Sequence, residues 1–244
     1  MQSRAIFMRK NRLLLCLLTL LAMFPVVHAA TLASYQFTGT DEATRRSATI
    51  IDPLISSTTA ITFGGSGLDP QSNYAFTSNA PGANAVGNTL RVLGIERTSV
   101  SPLPTQFIEF SLTPSTAVNL TSFEFDYAVG GMGNRTVLVQ YSFDGFATAG
   151  LTAGQITYDT TSPGGTGQNI NTFYHHSFAL SDQNALAEST SSTITFRLFL
   201  ATPSTGADVR LDNLTILGTA VPEPSLSALF GLAVAGLLLR RHRR

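Results

Sequence analysis

Tryptophan is absent from this 244-residue chain, cysteine occurs once, and charged residues make up only 12% of it. The one cysteine, Cys16, lies inside an N-terminal apolar run, so the rest of the chain has no thiol for a disulfide or a cysteine metal site. Its fold must be held by burial. The lack of tryptophan removes the widest ring on which a sugar can stack, leaving six tyrosines, of which Tyr74, Tyr158 and Tyr174 fall near predicted loops. Lysine is as scarce as cysteine, Lys10 being its single occurrence. Arg4, Arg9, Lys10 and Arg12 precede the N-terminal apolar run, and Arg240, Arg241, Arg243 and Arg244 close the chain. The formally neutral total therefore conceals an acidic middle. Between Ala30 and Val221, seven arginines face fourteen Asp and Glu, a balance of about −7. Such a surface has no basic stripe to neutralise phosphates, which excludes a nucleic-acid partner. Also missing are a His-x-x-x-His pair, metal-spaced cysteines and a Gly-x-Ser-x-Gly nucleophile turn.

What is present divides the chain into three parts. Residues 1–29 combine the basic head, an apolar run from Leu13 to Val27 and the small-residue site Val27-His28-Ala29, which is the pattern of a secretory signal peptide cut after Ala29. Cys16 follows Leu14-Leu15 within the run and not small residues at its end, so a lipoprotein attachment does not fit. Residues 30–220 form one extracytoplasmic domain, long enough for a substantial core. Residues 221–244 make the third part. There Pro222 and Pro224 fix an extended tether around Glu223, Ser225 can cap a helix, and a mostly apolar run to Leu239 ends at the arginines. A helix over 225–239 reaches about 22 Å, short of a hydrocarbon core of about 30 Å, so it is a marginal single transmembrane helix aided by snorkelling arginines on the cytoplasmic side.

In the middle part the apolar signal has period two. Phe123, Phe125, Tyr127 and Val129 share a face, with Glu124 and Asp126 opposite, and Val137, Val139, Tyr141 and Phe143 repeat the pattern. The glycines of residues 130–134 between them predict a hairpin. Ile108, Phe110 and Leu112 predict another strand, as do Ile194, Phe196, Leu198 and Leu200. The last strand, from Val209 to Leu217, changes phase between Leu211 and Leu214, which predicts a bulge at Asp212-Asn213. Weaker candidates are Tyr35 to Phe37, Ala60 to Phe63, Leu90 to Ile95 and Phe173 to Phe178, and Ser181 to Glu188 reads as a short helix. The fold class is all-β, a two-sheet antiparallel sandwich of jelly-roll type.

Pro222-Glu223-Pro224, the short apolar helix and the terminal arginines resemble the PEP-CTERM protein-sorting family. The resemblance implies an exported bacterial protein that an exosortase handles at the inner membrane, anchored by its C-terminal helix until processing and then delivered to the cell surface or extracellular matrix. It covers about a tenth of the chain and implies no activity for the rest. The segments around Phe123 to Tyr127, Tyr141 to Phe146 and Arg210 to Leu214 loosely resemble carbohydrate-binding jelly rolls, which bears on fold more than on function.

Candidate chemistry is sparse. Glu124 and Asp126, two apart on one strand face, place their Cα atoms about 6.7 Å apart, a spacing open to a glycosidase pair, but acid pairs on exposed strand faces are ordinary and the pair reads as a solvent-facing stripe. His175 and His176 alternate faces, so adjacency keeps them from chelating one metal. Gly64-Gly65-Ser66-Gly67 and Gly164-Gly165-Thr166-Gly167 lack the lysine and following helix of a phosphate loop and read as turns. Asn119, Asn134 and Asn213 begin glycosylation-like triplets that a Ser/Thr-rich chain produces by chance. Asp208 and Asp212 flank the last strand, where jelly rolls sometimes hold calcium, but two acids alone supply too few ligands, and no cofactor is otherwise implied.

Three function classes follow in order: a non-catalytic structural protein of the envelope or matrix, a module binding extracellular polysaccharide, and a glycoside hydrolase. The expected partners are the export machinery, the exosortase and the membrane. Export with cleavage after Ala29 is directly testable. The intact mass of envelope-associated protein is expected to correspond to a chain beginning at Ala30, and a mature species beginning at Met1 would contradict the signal-peptide reading.

Overall fold

The computed structural model describes residues 29–76, 87–96, 98–100, 105–130, 134–158, 173–180, 192–202 and 207–221. Thirteen strands and one helix occur among them: β1 (Ala30–Tyr35), α1 (Glu42–Arg46), β2 (Ile50–Ile51), β3 (Ile55–Thr58), β4 (Thr62–Gly64), β5 (Asp69–Phe76), β6 (Gly87–Leu93), β7 (Phe107–Pro114), β8 (Val118–Gly130), β9 (Arg135–Ser142), β10 (Leu151–Tyr158), β11 (Tyr174–Ala179), β12 (Ile194–Ala201) and β13 (Asp208–Ala220). Every strand pairing is antiparallel. One sheet runs β11-β8-β13-β1-β2, with β6 also pairing β13 and β5 pairing β6, and the other runs β10-β9-β12-β7-β3, with β4 also on β7. The result is the all-β, two-sheet antiparallel sandwich that the alternation implied.

The sheets meet through aromatic side chains. Phe196 of β12 stacks on Phe110 of β7 at 5.5 Å, on Tyr141 of β9 at 5.9 Å and, across the interface, on Phe123 of β8 at 5.5 Å. Tyr35 of β1 reaches Phe110 at 4.8 Å. Phe125 and Tyr127 continue the buried row along β8, as the period of two requires.

β13 is the spine of the larger sheet. One of its edges pairs with β8 along nearly its whole length, while the other pairs with β6 through residues 209–211 and with β1 through residues 214–218. The changeover coincides with a register slip between Asp212 and Thr215, where Asn213 takes a left-handed φ of 51°. Asn tolerates that conformation better than most residues. The slip restores phase, so Val209, Leu211, Leu214 and Ile216 are all buried in the core. The bulge predicted at Asp212-Asn213 is present.

The hairpin predicted between β8 and β9 is not. β8 belongs to the larger sheet and β9 to the smaller, so the chain crosses the sandwich between them. Both strands turn their apolar side to the same core, and period two does not reveal whether the next strand lies alongside or opposite. The predicted Phe173 strand appears as β11, and β1 begins and ends earlier than the predicted Tyr35 to Phe37. The helix predicted at Ser181 to Glu188 and the turn at Gly164 to Gly167 lie outside the described residues. α1 went unread because it is one turn long; Asp41 caps it, accepting from the Thr44 amide at 2.9 Å while the Asp41 amide donates to Thr44 Oγ1 at 3.2 Å. Gly65 and Gly67, with φ of 81° and 87°, make the expected turn.

Two substitutions separate packing from polarity in this core. Phe196→Ala is expected to cost about 3–5 kcal/mol, because a ring touching both sheets leaves a cavity neither can close. The hydroxyl of Tyr141 is buried with no hydrogen-bond partner among the described residues, and burial pushes its pKa up to about 12. Tyr141→Phe is therefore expected to leave the melting temperature unchanged or raise it. Denaturant unfolding of both variants checks the pair, and a Tyr141→Phe loss as large as that of Phe196→Ala would contradict this account.

Candidate functional site

A connected polar cluster with exposed members lies on the side of the larger sheet that faces away from the core. Alternation along β8 puts Glu124 and Asp126 there, and register sets His175 of β11 opposite Asp126 on one flank and Asp212 of β13 opposite it on the other. The sequence pattern makes the two acids a solvent-facing stripe. Glu124 is half-buried, but the side chain of Asp126 is only 6% exposed. The correction has a physical cause. Asn213 Nδ2, placed by the bulge, donates to Asp126 Oδ2 at 2.7 Å, and His175 Nδ1 lies 3.0 Å from Asp126 Oδ1. The neighbours that shield the carboxylate also hydrogen-bond it.

His175 Nε2 stands 3.7 Å from Glu124 Oε2, while Glu124 Oε1 accepts from the hydroxyls of Ser122 and Ser177 at 3.1 Å each. Asn213, Asp126, His175 and Glu124 thus form one continuous polar row. His176, on the opposite face of β11, packs against Phe125 at 5.6 Å and Tyr127 at 6.3 Å. Burial lowers its pKa, and the charge of neighbouring His175 adds to the effect. The adjacent histidines are divided between faces, as alternation requires.

Asp212 is buried beside this row, and its Oδ1 accepts the backbone amide of Asn213 at 2.8 Å. Burial raises its pKa to about 7, with the charge of Asp126 reinforcing the shift and the Asn213 hydrogen bond opposing it. Asp208, the other calcium candidate, has a different fate. Its Oδ2 accepts from Arg91 Nε at 2.6 Å and from Arg210 Nε and Nη2 at 3.1 Å, so two guanidiniums neutralise it. Asp208 and Asp212 lie four residues apart on one strand, about 13 Å, too far to share a cation. Among the described residues no group of three His, Cys, Asp or Glu is placed to hold a metal ion.

The arrangement is a set of carboxylates satisfied by their neighbours. The hydroxyl of Ser177, on the strand beside Glu124, donates to Glu124, and His175 is held between two acids. Residue-by-residue reading missed Asn213 and grouped Asp212 with Asp208. The phase break at Asp212-Asn213 was the available signal, because a bulge re-aims side chains.

The far end of β13 leads to the other candidate residues. Ala220 pairs with Val118, and the Val221 amide donates to the Ala117 carbonyl at 3.0 Å. Pro222, Glu223, Pro224 and the arginines Arg240, Arg241, Arg243 and Arg244 lie outside the described residues. Their identification comes from comparison. Residues 220–244 match the PEP-CTERM protein-sorting motif. That motif therefore overlaps the last residue of the sandwich's final strand. No helix among the described residues is long and apolar enough to cross a membrane, and residues 1–28 and 225–239 lie outside them.

No curated protein matches the chain. Among solved structures it is similar to the CBM22-1 xylan-binding domain of Paenibacillus barcinonensis Xyn10C, with 9% identity, 81% of this chain and 100% of that one covered, and a TM-score of 0.44. It is also similar to the C-terminal family 22 carbohydrate-binding module of Clostridium thermocellum Xyn10B, with 12% identity, coverage of 66% and 85%, and a TM-score of 0.39. Likeness at this level carries no inference about ligand or activity.

The raised pKa of Asp212 fixes a sign. The folded chain holds that proton up to about pH 7, whereas an unfolded aspartate releases it near 4. This group's contribution to stability is therefore greatest below about pH 4 and falls as pH rises to about 7, by about 4 kcal/mol in all. Asp212→Asn keeps an oxygen acceptor for the Asn213 amide and removes the penalty. Thermal unfolding is expected to show a gain at pH 8 that exceeds the gain at pH 5 by about 2–3 kcal/mol, and an equal effect at both would contradict the assignment.

Proposed function

We propose that this chain is an exported protein of the cell envelope or extracellular matrix, delivered by PEP-CTERM sorting, in which the β-sandwich has a non-catalytic structural role. The observation that carries the reading is the motif match at residues 220–244, at the end of the sandwich. In this reading the export machinery removes residues 1–29, the helix 225–239 holds the chain at the inner membrane, and an exosortase acting at Pro222-Glu223-Pro224 passes the sandwich to the surface. Asp126, buried and held at both oxygens by His175 and Asn213, supports a non-catalytic domain, since a general acid or base must offer a free position to substrate.

A second reading, a module for extracellular polysaccharide, is favoured by the half-exposed hydrogen-bonding groups Glu124, His175 and Ser177 on one open sheet face. The acidic balance of the domain selects a neutral glycan over an anionic one. Against it, Tyr35, Tyr127 and Tyr141 are buried in the core and Tyr174 is packed against it, so these rings form no platform for a sugar.

The sorting reading is tested by replacing both prolines. Pro222→Ala with Pro224→Ala is expected to abolish exosortase-dependent processing while leaving export intact, as read by the size and membrane association of the exported chain. Unchanged processing in the double variant would overturn the reading.

A further inference from the structure

Arg197 of β12 faces away from the core, between Phe196 and Leu198, which are buried in it. On that outer face of the smaller sheet, register sets it opposite Glu109 of β7 and Gln140 of β9. Its Nε donates to Glu109 Oε2 at 2.6 Å, while its Cζ lies 4.1 Å from the centre of the Phe107 ring and 4.2 Å from that of Phe146. Two phenyl rings and a carboxylate thus fix one guanidinium, whose planar fork suits such stacking. The chain makes room for both rings. A Cβ at Gly64 would collide with the ring of Phe107, and one at Gly150 with that of Phe146.

Phe146 is held there against its own backbone preference. Its φ is 64°, a left-handed value that a bulky side chain rarely adopts. The turn between β9 and β10 enforces it: Ser142 Oγ accepts the Phe146 amide at 2.9 Å, and Asp144 Oδ2 accepts the amide and hydroxyl of Thr148 at 3.0 and 2.6 Å. Such strain persists where the surroundings over-determine it, and it clusters at functional sites. The polar groups of the stack are only partly used by the protein. The Nη atoms of Arg197 and Oε1 of Glu109 have no hydrogen-bond partner among the described residues, and the two side chains are 24% and 28% exposed. Beside them, Gln140 Oε1 is buried without a partner among the described residues, and Gln140 Nε2 reaches only Thr152 Oγ1, at 3.4 Å. Turning that amide toward a ligand hydroxyl gives up one weak bond and satisfies the orphaned oxygen.

We propose that Phe107, Phe146, Arg197 and Glu109 form a sugar subsite on the outer face of the smaller sheet, and that its ligand is a neutral polysaccharide. The proposal rests on the glycan-module reading and puts the ligand on the sheet opposite the Glu124 row. A sugar ring offers carbon–hydrogen faces together with hydroxyls that both donate and accept. The phenyl rings match the faces, the Nη groups of Arg197 the hydroxyl lone pairs, and Glu109 Oε1 the hydroxyl protons. Charge selects among glycans. Arg197 and Glu109 cancel, the open carboxylate oxygen repels an anion, and the domain around them is acidic. Because the rings and the ion pair are already fixed, little freedom is lost in ordering them on a ligand.

The test uses the full chain in detergent, run through native gels cast with soluble xylan, β-glucan, galactan or mannan. At least one of them is expected to retard it. Phe146→Gly removes the ring and relieves the left-handed backbone, so it is expected to weaken retardation by about tenfold or more while the melting temperature stays within a few degrees. Arg197→Lys keeps a charge beside Glu109 but loses the fork, and a similar loss is expected without unfolding. Phe146→Trp widens the ring and is expected to strengthen binding. Retardation unchanged in both Phe146→Gly and Arg197→Lys overturns the subsite and leaves the glycan reading standing, as does a loss confined to Glu124→Gln on the other sheet. Retardation by alginate but by no neutral polymer overturns the neutral class. If no polysaccharide retards the unaltered chain, the glycan reading falls and the subsite falls with it.

Discussion

One residue in a left-handed conformation sets much of this sandwich in place. At Asn213 the backbone of β13 slips by enough to bring Leu214 and Ile216 onto the side already occupied by Val209 and Leu211. Without the slip, a strand of thirteen residues would turn half of its apolar side chains to solvent. The same slip marks where the open edge of β13 passes from β6 to β1. One edge of a single strand can thereby serve two neighbours end to end, while the equally long β8 runs along its other edge.

The polar row is a by-product of that geometry. The slip places the amide side chain of Asn213 over the neighbouring strand, where it meets Asp126, and draws the Asn213 backbone amide onto Asp212. Two aspartates then face each other across paired strands in a poorly hydrated place. His175 and Asn213 offset the burial of Asp126, whereas Asp212 has the weaker compensation and keeps its proton into the neutral range. Asp208, on the same face, takes the other route and is compensated by two arginines. Three acids on one sheet face have three different electrostatic solutions, each set by which strand lies alongside.

The core was legible in the chain because its aromatic residues alternate strictly, and even the bulge announced itself as a broken phase between Leu211 and Leu214. The missed elements are those whose signal is short or polar. β2 has two residues, β3 is largely hydroxyl-bearing, β5 carries a proline and two amides, and β10 breaks register between Thr152 and Gly154, so none shows an alternating apolar face. Sheet membership was illegible for a different reason. A face-to-core pattern is the same for a strand beside its predecessor and one across from it, which is why β8 and β9 were read as a hairpin. Burial of Asp126 was hidden likewise, since a polar residue on an outward face reads alike whether water or a neighbouring side chain covers it. The sorting motif needed no fold to be seen, being written in contiguous residues.

The pairing of β1 with β13 also has a temporal meaning. Ser34 and Thr215 hydrogen-bond at a separation of 181 residues in sequence, so a central seam of the larger sheet joins the earliest and latest parts of the domain to emerge during synthesis. Contacts of such separation close late and slowly, because the intervening loop must first be ordered. Until Thr215 has been made, β1 lacks its main neighbour and the larger sheet has an unfilled slot. A chain passing through a membrane pore N-terminus first would therefore remain loose and threadable for most of its transit, and would lock only as its last strand arrived.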